Sequence, residues 1–78
     1  MRTTVGIEER KRIGKLIAQA RQEANMSQKE LASKVIQHNG NPLTISVLSN
    51  LENGKNEVTW HYLRQIAFET EKPLDYFE

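Results

Sequence analysis

Apolar residues Ile13, Leu16, Ile17, Ala20 and Ala24 recur at intervals of three and four, which is one face of a helix, and the spacing predicts that helix from about Ile7 to Ala24. Asn25 follows as a left-handed stop. After it a short grammar repeats: an apolar residue, a Ser or Thr, three residues, and another apolar residue. It occurs as Met26-Ser27 with Leu31, as Leu43-Thr44 with Leu48, and as Val58-Thr59 with Leu63. Each matches a helix start in which the hydroxyl caps free N–H groups and the flanking apolar residues staple the entry. Glu30, three residues after Ser27, completes a capping box at the first of these.

The pattern predicts a second helix from Gln28 to about Ile36 that buries Leu31, Ala32 and Val35, after which "HNGNP" breaks the chain. A third runs from Ile45 to Asn53, with Gly54 taking the positive φ that ends it. A fourth uses Trp60, Leu63, Ile66 and Ala67, with Trp60 packing at its start. Pro73 then opens a last short turn or helix that buries Leu74 and Phe77. No stretch alternates with period two convincingly enough for a strand. The expectation is five short helices and no sheet, in one domain spanning residues 1–78.

On the third helix Leu48 and Leu51 fall on the core side with Val47 beside them. Ser46, Ser49, Asn50 and Asn53 form the opposite stripe, led by Ile45 at the N-terminal end. That outward stripe is short and uncharged.

With 78 residues and no cysteine, stability must come from packing and caps rather than disulfides or a thiolate metal site. No apolar run reaches the length of a signal core or a membrane span, so the expected setting is cytoplasmic, with no membrane partner. The formal net charge is only +1. It is unevenly spread: residues 1–30 hold seven Lys/Arg against four Asp/Glu, whereas residues 61–78 hold two against four. A weakly basic domain can meet nucleic acid through one face, but on charge alone an ordinary solvated surface is the better explanation of the same tally.

The series "IGKLIAQARQEANMSQKELASKV", "LSNLENGK" and "VTWHYLRQIAFETEKPLDYF" resembles the five-helix DNA-binding domain of the lambda and Cro repressors, the XRE-type helix-turn-helix family. The likeness runs from about Ile7 to Phe77. Its most specific parts are Arg21, Ser27-Gln28 and Leu31-Ala32 in order, then Glu52-Asn53-Gly54-Lys55. The implied fold is all-α and lambda-repressor-like, with one departure. About six residues are added around Gln37 to Pro42, so the tight turn between helices two and three becomes a loop.

The resemblance implies roles for particular residues. Arg21 and Glu52 correspond to an ion pair between helix one and the end of helix three. Gln28, Asn53 and Lys55 match positions that hold the DNA backbone. Ile45, Ser46, Ser49 and Asn50 match the base-reading face: Asn50 suits adenine N6 and N7, Ser46 either donor or acceptor edges, and Ile45 a thymine methyl. His61 occupies a position that is often basic in the family, although a lone surface His is ordinarily just solvated. Trp60 and Tyr62 are better explained by packing or a surface than as a base-stacking platform, since a duplex reader holds no unstacked bases.

The function implied is a sequence-specific double-stranded DNA-binding regulator, a repressor, acting as a homodimer through Leu74, Tyr76 and Phe77. The rival expectation, favoured by the weak net charge and the remodelled turn, is a protein-interaction module of the same fold, such as an antitoxin or coactivator domain. An enzyme is not expected: His38 and His61 are the only histidines, and the acidic residues form no recognisable constellation with them. No metal and no cofactor are expected for the same reason.

Overall fold

A computed structural model describes the backbone of residues 2–78 and the side chains from Glu8 onward. Four α-helices follow one another: α1 (Arg2–Glu23), α2 (Gln28–Lys34), α3 (Ile45–Glu52) and α4 (Trp60–Glu69). A 3-10 turn, Leu74–Phe77, closes the chain. The expected fifth helix is thus this single turn. Among the described residues there is no strand, only an isolated antiparallel bridge between Ile36 and Pro42.

The three hydroxyl caps form as their spacing predicts. Ser27 Oγ accepts from Glu30 N at 3.0 Å while Glu30 Oε1 accepts from Ser27 N at 2.8 Å, a complete capping box. Thr44 Oγ1 accepts from Val47 N at 3.1 Å, and Thr59 Oγ1 from Tyr62 N at 3.4 Å. The stops are equally local. Asn25 takes φ +58°, and Met26 N reaches back to Arg21 O at 3.0 Å. Gly54 takes φ +74° while Lys55 N bonds Asn50 O at 2.9 Å, so carbonyls in the last turns of α1 and α3 are satisfied by the chain that follows.

Two helix boundaries and one packing expectation differ. α1 begins at Arg2, five residues before Ile7. α2 stops at Lys34, because Val35 is extended (φ −100°, ψ 122°) and turns inward as a fully buried residue. Trp60, expected to pack at the start of α4, is 60% exposed; Val58, Leu63 and Tyr62 flank the core there instead.

The core is built by Ile17 and Ala20 of α1, Leu31, Ala32 and Val35 from α2 and its end, Leu48 and Leu51 of α3, Ile66 and Ala67 of α4, and Phe77 of the last turn. Leu43, in the segment leading to α3, joins them. Each fully buried large aliphatic or aromatic side chain contributes about 1.5–3 kcal/mol relative to an exposed one. One close approach sets the angle of α1 on α3. A Cβ placed at Gly14 would lie 2.5 Å from the carbonyl oxygens of both Leu51 and Glu52, so α1 rides directly on the C-terminal turn of α3. At the far end of α1, Glu23 pairs with Lys72 beyond α4, which holds the Glu23 carboxyl below and the Lys72 amine above their ordinary values.

Candidate nucleic-acid interface

α3 presents the face that its sequence pattern predicts. Leu48 and Leu51 are buried, Val47 is half-buried, and Ile45 (47% exposed) and Ser46 are open to solvent. Ser49 and Asn50 are half-buried on the same outward side, and Asn53 and Lys55 lie exposed where the helix ends. At about 1.5 Å per residue the helix is about 12 Å long, comparable with the width of the B-DNA major groove.

The helix is held by a three-residue lock at its C-terminal turn. Glu52 accepts from Arg21 Nε at 2.8 Å on one carboxylate oxygen, and from Arg21 Nη2 at 3.3 Å and Gln28 Nε2 at 3.0 Å on the other. Arg21 also donates to Met26 O at 3.0 Å. The two charged side chains are 14% and 7% exposed. A single carboxylate therefore gathers α1, the first residue of α2 and the last residue of α3, and every charge in the lock is matched. Gln28, expected to brace a phosphate, spends one of its two amide N–H groups here. The other makes no hydrogen bond among the described residues.

Asn53 is placed differently from the expectation that it holds the DNA backbone. Its amide nitrogen donates to Ser49 O at 2.9 Å and approaches Ser49 Oγ at 3.3 Å, so it caps α3, and a phosphate would have to compete for the same donor. Lys55 makes no ion pair among the described residues. In the expected dimer seam, Phe77 is only 2% exposed and belongs to the core. Tyr76 is half-buried with its hydroxyl enclosed and without a hydrogen-bond partner, while Lys72 Nζ sits 4.9 Å from its ring. Only Leu74, 37% exposed rather than buried, keeps an accessible apolar surface. It shares a surface concavity with Ile13, Trp60 and Leu63.

The lengthened connection between α2 and α3 is an ordered hairpin rather than a slack loop. Gln37 N bonds Asn41 O at 2.8 Å, Gly40 N bonds Gln37 O at 2.9 Å with φ +90° at Gly40, and Leu43 N returns to Val35 O at 2.9 Å. α4 grips it from outside. Gln65 accepts from Ile36 N at 2.8 Å and donates to Ile36 O at 2.9 Å, satisfying both backbone groups of one residue. His61 Nε2 lies 2.8 Å from the same carbonyl, and the ring of His38 stacks on that of His61 with centroids 3.9 Å apart. Sequence reasoning misses Gln65 altogether and leaves His61 as a solvated residue. No periodicity or motif links positions 29 apart across a loop.

A model of the helix-turn-helix family matches residues 17–77. The chain belongs to the XRE-type helix-turn-helix family. The match covers α2, the hairpin, α3, α4, the final turn and the Arg21–Glu52–Gln28 lock, and it begins inside α1. No curated protein matches the chain. This helix-turn-helix family is one of DNA-binding transcription regulators. Among the described residues no helix is long and apolar enough to cross a membrane, and no cluster of three or more His, Cys, Asp or Glu is placed to hold a metal ion.

Proposed function

We propose that this helix-turn-helix domain is a sequence-specific double-stranded DNA-binding repressor that acts as a homodimer on a two-fold site. The observation that carries the reading is α3: a helix of groove length, locked at one end by Glu52, whose outward face bears only Ile45, Ser46, Ser49 and Asn50. Small uncharged groups read base edges without the affinity that charge supplies. Sequence choice then falls to Asn50 on adenine, Ser46 on either kind of edge and Ile45 on thymine methyls, which gives an A·T-biased half-site. Affinity comes from the backbone contacts of Lys55 and the free amide N–H of Gln28. Repression follows from occupancy, since a bound dimer excludes other proteins from its site.

Selection of bound duplexes from a random pool, with wild type and variants in parallel, tests the assignment. Asn50→Ala is expected to relax preference at one base pair of each half-site by about 1–3 kcal/mol, whereas Lys55→Ala weakens all duplexes alike and flattens the salt slope by about one unit per bound protomer. An unchanged selected sequence with Asn50→Ala removes α3 as the reading element.

A second reading, a protein-interaction module of antitoxin or coactivator type, draws on the exposed Trp60 and Phe68 of α4, 60% and 79% accessible, and on the net charge of +1. Fluorescence anisotropy with a random duplex at low salt separates the two. Absence of salt-sensitive binding at micromolar protein favours the protein partner.

A further inference from the structure

The first part of α1, residues 2–16, lies ahead of the segment that the family model matches. It is nevertheless folded against the end of the proposed reading helix. A Cβ built at Gly54 would stand 2.7 Å from Lys11 Cγ and 2.9 Å from Lys11 Cα, so the Lys11 stem covers the glycine that follows α3. Arg10 Nε points at Gly54 O, at a long 3.4 Å. Lys55 is the next residue, so the Lys11 stem, the Arg10 guanidinium and the backbone of Lys55 meet at one glycine from two distant parts of the chain.

No carboxylate neutralises Lys11 or Lys55 among the described residues. Glu9 is paired with Arg12, and Glu52 is taken by Arg21 and Gln28. Glu8, exposed three residues before Lys11, makes no ion pair with it. Gly54 is doubly required here. Its φ of +74° disfavours any side chain, and the space a side chain would need is filled by Lys11.

We infer that Arg10 and Lys11 form, with Lys55, a cationic clamp for the sugar-phosphate backbone at the C-terminal end of α3. The inference rests on the DNA-binding reading of α3 and adds a binding surface from outside the matched segment. A helix about 12 Å long in a groove about 12 Å wide leaves its ends near the phosphate strands that line the groove. Asn53 at this end keeps its amide on Ser49, which leaves the neighbouring cations to supply the attraction. Lys11 is exposed and carries its ammonium on a flexible stem, so it adds non-specific affinity rather than sequence choice.

Salt-dependent fluorescence anisotropy tests the clamp with the duplex selected by wild type and a scrambled duplex of equal length. Each phosphate that a variant no longer neutralises lowers the slope of log K against log salt by about 0.9. Lys11→Ala, which removes one contact per protomer, is therefore expected to weaken both duplexes by the same factor, and that factor shrinks about threefold per bound protomer between 50 and 200 mM salt. Lys11→Arg restores the slope, and Arg64→Ala, the same charge change on the outer face of α4, leaves it as in wild type. Thermal melting confirms that each variant is folded, and Lys11 carries the test alone if Arg10→Ala melts early. If wild type binds with a salt slope that Lys55→Ala reduces while Lys11→Ala does not, the clamp is wrong and the reading of α3 stands. If wild type binds neither duplex, both fall.

Discussion

The Arg21–Glu52 pair illustrates how one ion pair can hold three helices, since Glu52 also accepts from Gln28 of α2. Arg21 meets Glu52 at 2.8 Å and Met26 O at 3.0 Å, and Glu52 is 7% exposed, too enclosed for water to replace the guanidinium. Arg21→Ala leaves that carboxylate with Gln28 alone, a neutral donor, and costs about 3–5 kcal/mol by chemical denaturation. A loss under about 1 kcal/mol places the pair among solvent-screened surface bridges. The partnership is legible from the sequence only because Arg21 and Glu52 sit in two recognisable motifs. Gln28's share of Glu52 is not legible, because a glutamine at the start of a helix has many partners within reach and nothing in its neighbours selects a carboxylate 24 positions away. Lys11 over Gly54 is hidden for the same reason, and so is the close approach of Gly14 to the carbonyls of Leu51 and Glu52, since an isolated glycine in a helical pattern names no partner.

At the scale of elements, what the sequence states about itself is mostly local. Ser27, Thr44 and Thr59 cap their helices, and Asn25 and Gly54 end theirs, since each feature is decided within a few residues. The end of α2 is not legible in the same way, because Val35 and Ile36 continue an apolar helical spacing, yet tertiary packing pulls them into the hairpin. Gln65 is the long-range part of that hairpin, and it governs how α3 is presented. Its two hydrogen bonds to Ile36 fix the exit of α2, so Gln65→Ala releases the connection while leaving the core residues untouched. The expected cost in stability is modest, about 1–2 kcal/mol for two partly solvated hydrogen bonds. Amide exchange reads the effect directly: Ile36, Gln37 and Leu43 are expected to lose protection first, and duplex discrimination weakens with them although Gln65 touches no DNA in this reading. Unchanged protection at those three amides means that the hairpin is held by its own turn.

For the molecule as a whole, the open question is what covers the apolar surface between α1, α4 and the last turn. Phe77 closes the core and, at 2% exposed, lines only the floor of that surface, so it offers a partner little area of its own. Leu74 remains, joined across the same concavity by Trp60, Ile13 and Leu63 and rimmed by Glu9 and Arg12, which pair with each other, and by Glu78. A second copy of the chain is the occupant consistent with the DNA reading. A two-fold site needs two α3 helices about 34–36 Å apart, and one small module reads too few bases for useful selectivity. Wild type is therefore expected to sediment between a 9.0 kDa monomer and its dimer as concentration rises through tens of micromolar. Leu74→Glu and Trp60→Glu, each placing a carboxylate in that surface, shift it to monomer. Because these residues are 37% and 60% exposed, the variants are expected to keep their helical content, while the melting temperature loses the concentration dependence that dimerisation gives wild type. Affinity for a full two-fold duplex falls while affinity for a single half-site is kept, which separates a broken seam from a damaged reading face. A wild-type chain that stays monomeric over this range, or variants that lose half-site binding as well, rules out Leu74 and Trp60 as the place where two copies meet.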